Sequence, residues 1–505
     1  MAHMPTTDSS TSFDLVLVGA GIIGLAIAYT WLRENPGGRL LILEKEARCA
    51  AHQSGRNSGV LHSGIYYAPG SRRAQNCVRG KAMMEAFCTA NQVPFRTVGK
   101  LIVARDETEL GRLAELERRG LANGVELERC NTARMAELEP EVRGVAGLFL
   151  PRTGVVDFGA VCLALQKAIE GAGGELSFGS KVQRIHAETN SVRFEIEGGD
   201  TPITARRAIA CAGLQADRVA RCAGLRAGEL NLRIVPFRGE YQRLGEEAAR
   251  RVRGLIYPVP DPRFPFLGVH FTRRICGRVD CGPNAVPALG RECYERWSTS
   301  PRDLATSVSW PGTWRLFARH APMAFGEAWR SLSAAAFARE AARLLPGLTQ
   351  QDFSTAPAGI RAQAVDRKGR LLDDYVTRHQ GGPPACAERT LASGDIESCN
   401  RSLSRAANQR QLVVSFDMGG SWRKPLPIFF AMEILLARQL KAQLAHPTMG
   451  TVVGGDLLVV CIPEEATLLE NPLGSHVDGQ ALRFDRGGRQ VLKRKPNQQT
   501  NGFAH

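Results

Sequence analysis

An apolar run from Leu15 to Val18 opens the first patterned stretch of the chain. The segment Gly19-Ala20-Gly21-Ile22-Ile23-Gly24 follows, and apolar residues then recur at helical spacing to about Arg33. A second apolar run, Leu40 to Leu43, ends in Glu44. Over Phe13 to Ala47 this predicts strand, tight turn, helix, strand and acid. Gly19 lets the chain turn, Gly21 lets backbone approach a diphosphate, and Gly24 lets the helix pack closely on the sheet. The helix N-terminus then faces phosphate charge. Glu44 lies twenty residues past Gly24 (44 − 24 = 20), where a carboxylate can accept hydrogen bonds from a ribose. The glycines alone would mark only a turn; with both strands, the helix and the acid in place they read as a dinucleotide cradle.

Helical spacing returns from Arg72 to Asn91, from Glu107 to Gly124, from about Phe158 to Gly171, and from Phe325 to Leu345. Strands are predicted at Val98 to Ala104, at Glu175 to Ile185, at Arg193 to Ile196 and at Ile203 to Ala212, with a break at Thr153 to Asp157. From Val235 to Val286, short β-rich runs separated by Pro and Gly predict an antiparallel sheet. Ala356 to Val365 returns toward the first domain.

At 505 residues the chain exceeds one ordinary core, so two or more domains are expected. The formal charge of +15 suits an anionic ligand or surface. The arginines are scattered, and no basic stripe or aromatic platform accompanies them, which argues against nucleic acid. Thirteen cysteines without a CxxC pair fit a reducing compartment, the cytoplasm. No apolar run reaches membrane-spanning length, and peripheral contact with the inner membrane stays open. Residues 1–12 are a polar leader whose MAHM start resembles a cloning remnant.

Cys49 to Ala68, CAAHQSGRNSGVLHSGIYYA, is Gly- and Ser-rich and dense in hydrogen-bonding groups. Directly after the acid, it can return across a cofactor, with Ser54, Arg56, Asn57 and Ser58 on phosphate or ribityl oxygens and the Gly59 to Gly64 turn placing His62 near a redox ring. A polar surface loop is the competing role. VGAGIIGLAIAY, LILEKE and SGRNSGVLHSGIYYAPGS together resemble the FAD-dependent L-2-hydroxyglutarate dehydrogenases (oxidases), among the D-amino-acid-oxidase-like flavoproteins. The resemblance runs from Phe13 to about Asp374. It implies an α/β fold, with a Rossmann-like FAD-binding domain and an antiparallel-sheet substrate domain. It adds Lys45 beside Glu44, Gly59, the backbone of Val182 at the adenine, and Gly213 near the FAD; plain sheet packing is the alternative for the last two. The expected division is 13–98, 151–225 and 356–376 for the FAD-binding domain, 99–150 for a cap segment, and 226–355 for the substrate domain.

The tail, 377–505, departs from that pattern. The family closes with Asn-Ala-Pro-Ser-Pro-Ala-Ala-Thr leading into a helix that faces the flavin, and this chain has no such run. Permitted codons for Glu388 to Ala392, read one nucleotide on, can spell Asn-Ala-Pro-Ser-Pro, and those for Ser393 to Glu397 can continue as Ala-Ala-Thr-Ser-Ser. The resulting hypothesis is a frame change between Asp374 and Glu388. It carries the expectation that the FAD-binding sheet lacks its closing piece and that the chain as written folds poorly or holds FAD weakly.

Oxidising a 2-hydroxy acid needs a hydride acceptor, a base and cations for carboxylate. Histidine, with an unperturbed pKa of about 6.5, is the natural base. The candidates are His62 and His270, each with a structural role as its alternative. A 2-hydroxy dicarboxylate wants arginine forks, and Arg238, Arg273 and Arg361 stand in the segments expected to line a pocket. Tyr241 and Tyr257 could donate hydrogen bonds or simply pack. Electrons would pass to oxygen or quinone. A flavin oxidase of amines or amino acids, and a cofactor-free chain, are the competing functions. No metal site is expected.

Overall fold

The computed structural model describes residues 12–188, 191–261, 268–372, 376–380, 413–415 and 456–461. The strand Ser12–Val18 lies between Leu40–Leu43 and Ile203–Cys211, parallel to both. Leu40–Leu43 continues in parallel to Glu175–Ser177. On the other side, Val182–Ala187 and Val192–Ile196 form an antiparallel extension of Ile203–Cys211. The first strands read as continuous apolar runs because both faces are covered, as parallel strands require. Leu15 and Leu17 face the helices Ile22–Glu34 and Phe158–Gly171, while Val16 and Val18 face the opposite core. Asp157 caps the second helix, its carboxylate accepting from Gly159 N at 2.8 Å and Ala160 N at 3.3 Å.

A second sheet runs in the order Phe353–Thr355, Leu232–Leu244, Val279–Pro287, His270–Arg273, Leu255–Pro258, Lys100–Ala104, Ala146–Leu150, Glu128–Cys130. It is antiparallel throughout except where Leu255–Pro258 meets Lys100–Ala104. Gly359–Asp366 joins it against Leu232–Leu244. Val60–Leu61, Gly154–Val156 and Phe95–Thr97 make a small third sheet.

Several expectations need correction. The predicted break at Thr153 to Asp157 contains the strand Gly154–Val156, buried throughout. The helix expected from Phe325 to Leu345 is two helices, Ala321–Leu332 and Ala334–Ala342, divided at Ser333, whose hydroxyl caps the second through Ala336 N. The first sheet does not lack a closing piece. Val413–Ser415 pairs in parallel with Ile209–Cys211, and Asp456–Cys461 pairs in parallel with Arg207 and Ala208. The hypothesised frame change, between Asp374 and Glu388, falls in a stretch of which only 376–380 are described, and the run from Glu388 to Glu397 lies outside the described residues.

Candidate active site

The first turn is built by contacts that exclude side chains. Gly19 has φ of +108°, and a Cβ there would meet Cys211 O at 2.4 Å. A Cβ on Gly24 would meet Gly19 O at 2.0 Å, so the helix closes onto the turn itself. Gly21 is the N-cap of Ile22–Glu34 and makes no side-chain cap bond. Ser54 supplies one instead, its hydroxyl accepting from Ile22 N at 3.0 Å.

A cavity of about 550 Å³ opens at this turn, lined among others by Gly19, Gly21, Glu44, Val182, Ala212 and Gly213. Glu44 accepts from Ala20 N at 2.7 Å and from Glu46 N at 2.9 Å. Each carboxylate oxygen keeps a further lone pair for a hydroxyl. Lys45 pairs with Glu46 and, at 2.9 Å, with Glu292. Burial alone would lower the Lys45 pKa, but the hydrogen bonds its ammonium donates to the two glutamates outweigh it and hold the pKa above its usual value. Glu46, His52 and Glu292 converge as metal ligands would, yet the Lys45 ammonium, 3.0 Å from His52 Nε2, supplies the cation. Tyr294 hydrogen-bonds His52 Nδ1 at 2.7 Å and lies 3.9 Å beneath the Arg56 guanidinium.

The 53–59 loop is held largely by its own groups. Asn57 donates to Gln53 O and Ser54 O and accepts from Gly59 N, so its side chain folds the loop rather than reaching toward a phosphate. Gly59 has φ of +72°, and a Cβ there would meet Val156 O at 2.7 Å. Ser58 is buried beside it. Arg274 of the second sheet donates to Asn57 O at 2.7 Å and to Asp280 at 2.6 Å, tying loop to sheet.

His62 lies beyond this loop, buried, with Nδ1 3.2 Å from Lys100 Nζ. Strand alternation and the Leu255–Lys100 register bring Tyr257 and Lys100 to one face of the sheet. Lys100 Nζ sits 4.4 Å from the Tyr257 ring centroid, and the His270 ring stacks on Tyr257 at 4.0 Å. Tyr257, expected to bind substrate, instead packs its buried ring against both Lys100 and His270. His270 Nδ1 is 3.0 Å from Gly268 O. Burial, then the Lys100 and His270 charges, push the His62 pKa well below its usual value, so the ring is neutral at pH 7.

Two of the three arginines differ from expectation. Arg238 donates to Glu240, Glu295 O and Arg296 O. Arg273 donates to Val252 O, Gly277 O and Ala249 O. Both forks hold protein oxygens, because backbone carbonyls left over at strand and helix ends need donors. Arg361 is buried on Gly359–Asp366, the strand that packs against the Gln53–Gly55 and Gly213–Gln215 turns.

A model of the FAD dependent oxidoreductase family matches residues 14–383. The chain belongs to that family. It is 40% identical over 401 residues to L-2-hydroxyglutarate dehydrogenase of Indibacter alkaliphilus, covering 78% of this chain and 99% of that protein. It is 40% identical over 365 residues to the Escherichia coli K12 protein of that name (72% and 85% covered), and 42% identical over 369 residues to the mitochondrial protein of Caenorhabditis elegans (72% and 84%). Among solved structures, an FAD-bound L-alpha-glycerophosphate oxidase from Mycoplasma pneumoniae superposes with a TM-score of 0.60 at 18% identity, covering 90% of this chain and 99% of that one; that likeness concerns the fold.

FAD is the cofactor of this family, and the residues present fit it. Gly19 and Gly24 leave no room for a Cβ, a helix N-terminus lies behind the turn, and Glu44 stands at the cavity with free lone pairs. Sequence reasoning missed Lys100, Glu292, Tyr294 and Arg274. Lys100 sits in the run KLIVA, where one lysine before four apolar residues reads as a strand end; only the sheet register exposes its burial.

Proposed function

We propose that this chain oxidises L-2-hydroxyglutarate to 2-oxoglutarate with FAD. The observation that carries the reading is identity of about 40%, across nearly the whole length of a bacterial protein, with proteins named for that substrate. Bound FAD supplies the hydride acceptor. The Gly19–Gly24 turn would hold its diphosphate and Glu44 its ribose, with Lys45, Val182 and Gly213 alongside. His62 is the proposed base: it is neutral, buried and next to the phosphate-side loop, and its Nε2 would take the hydroxyl proton. His270 orders the same aromatic stack. Arg361 is the proposed fork for a substrate carboxylate, being the one candidate among the three whose described environment lies at the cofactor turns.

The electrons pass on to oxygen or to a membrane quinone, and the chain makes peripheral membrane contact. Among the described residues no helix is long and apolar enough to cross a membrane. Yet Trp297 and Phe325 are 77% and 75% exposed, and Trp314, Trp329 and Leu332 are also exposed along the same stretch of sequence, which carries Arg302, Arg315, Arg319 and Arg330. Exposed aromatics beside cations suit an anionic lipid surface. Co-sedimentation with anionic vesicles that is lost on Trp297→Ser/Phe325→Ser supports this; no sedimentation of the parent chain rules it out.

The functional reading is tested by mixing the FAD-loaded protein with L-2-hydroxyglutarate without oxygen. Loss of the oxidised flavin band supports it. Bleaching by glycine or D-amino acids, with none by the hydroxy acid, would favour an amine oxidase instead.

A further inference from the structure

Lys100 is a buried amine with no carboxylate partner among the described residues. Its residue is 1% exposed, and among the described residues it forms no ion pair with a carboxylate. Its neighbours are His62 Nδ1 at 3.2 Å, the Tyr66 hydroxyl at 3.5 Å, and the Tyr66 and Tyr257 rings at 4.7 and 4.4 Å. Taking an ammonium out of water costs several kcal/mol. A desolvated cation–π contact returns about 2 kcal/mol. The site therefore favours the uncharged amine, and burial, opposed only by Cys77, lowers the Lys100 pKa to about 7.

The charge state of Lys100 decides what His62 can do. An ammonium has donors and no acceptor. It would donate to Nδ1 and leave the hydrogen of neutral imidazole on Nε2, which then cannot take a proton. An uncharged amine accepts from Nδ1–H and leaves the Nε2 lone pair available. Nε2 is buried and has no hydrogen-bond partner among the described residues. Buried polar atoms are nearly always satisfied, so this one points to a ligand group.

We propose that Lys100 is the positioning residue that makes His62 a base, its amine accepting the Nδ1 hydrogen while Nε2 receives the substrate's hydroxyl proton. This rests on the reading of the chain as a 2-hydroxy-acid oxidoreductase. In the step, the substrate O–H and C–H bonds break and its C–O bond becomes C=O. The hydrogen on carbon leaves with its electron pair, for which bound FAD would be the two-electron acceptor. The hydroxyl proton forms Nε2–H, the Nδ1–H bond breaks, and an N–H bond forms on Lys100. Imidazole ends neutral as its other tautomer and the amine ends as ammonium.

The groups facing this pair are few. Tyr66 comes from the same loop as His62, and Tyr257 from Leu255–Pro258. Cys77 on the helix Arg72–Ala90 has its thiol pushed up to about 12 by burial and stays neutral. His270 acts on His62, and Lys81 acts on Cys77.

The test follows flavin reduction by L-2-hydroxyglutarate, without oxygen, as a function of pH in the parent protein and in Lys100→Met. The parent rate should rise with pH through about 7 as Lys100 loses its proton. Lys100→Met should lose that rise and fall roughly 10²–10⁴-fold, the usual contribution of a positioned base. Small primary amines should restore part of the rate. A variant that keeps the parent rate and profile, or keeps the inflection at a reduced rate, overturns the proposal. Should Lys100→Met lose FAD or fail to fold, the parent protein decides alone: two protons in flight give a curved rate in mixtures of light and heavy water, and a straight line overturns the relay. No reduction of the parent flavin at any pH would instead overturn the functional reading, and this inference with it.

Discussion

Arg291 and Asp217, each 1% exposed, form an ion pair that joins the segment 288–300 to the helix Ala216–Cys222. Arg291 also donates to Leu214 O at 2.7 Å and Ile234 O at 3.3 Å, and its backbone N–H donates to Asp303 at 2.8 Å. Burial pushes the Asp217 carboxyl up, but the charge and hydrogen bonds of Arg291 outweigh it and hold the pKa below its usual value. A carboxyl depressed on folding contributes stability above its unfolded pKa of about 3.9 and loses it as pH falls through the folded value. Asp217→Asn should therefore cost roughly 3–5 kcal/mol at neutral pH, as breaking a buried pair does. Chemical denaturation of both proteins from neutral to acid pH checks this: the gap should narrow on acidification, and a constant gap would contradict it.

Gly24→Ala should damage cofactor binding before anything else. The added methyl would lie 2.0 Å from Gly19 O, so helix and turn must separate. Overpacking of this kind costs about 1–3 kcal/mol. Titration of the variant with FAD, followed by flavin fluorescence, should show affinity at least about tenfold weaker, which is 1.4 kcal/mol. Unchanged affinity would mean that the diphosphate does not use this turn.

Arg361→Ala and Arg238→Ala should separate in kind. Losing a charged hydrogen bond to substrate costs about 1.5–3 kcal/mol. Arg361→Ala should raise KM for the hydroxy acid roughly ten- to hundredfold. Arg238→Ala should lower melting temperature with KM little changed, because its guanidinium holds Glu240, Glu295 O and Arg296 O. The reverse pattern would return Arg238 to the substrate site.

The tail carries a prediction of its own. If the frame changes between Asp374 and Glu388, a coding sequence restored at that point reads Asn-Ala-Pro-Ser-Pro from Glu388 onward. The restored chain should retain more FAD through purification than the chain as written. Equal, stoichiometric flavin in both would refute the importance given to that run, and codons that do not spell it would refute the frame change.

The cofactor cradle was legible because its constraints are local. Gly19, Gly21, Gly24 and Glu44 fall at fixed offsets along one strand–turn–helix–strand unit; the structure puts Gly19, Gly21 and Glu44 at one cavity and packs Gly24 against Gly19 O. The other half of the site was not legible, because it is assembled by register. Lys100 and Tyr257 meet only because Leu255 pairs with Lys100 in a parallel step within an otherwise antiparallel sheet. Arg238 and Arg273 stood in the right segments, but local sequence does not record which carbonyls need a donor. Asn57 looked like a ligand group for the same reason: its amide is consumed by its own loop. Gly154–Val156 was read as a break because three residues are too few to display a period, and it forms a strand through partners at residues 60 and 96.

The most direct test of the whole account is the flavin spectrum of the FAD-loaded protein during anaerobic titration with L-2-hydroxyglutarate. The oxidised band should disappear at one equivalent of substrate per flavin, with one equivalent of 2-oxoglutarate formed. A band that persists at saturating hydroxy acid, in protein shown to hold FAD, would contradict it.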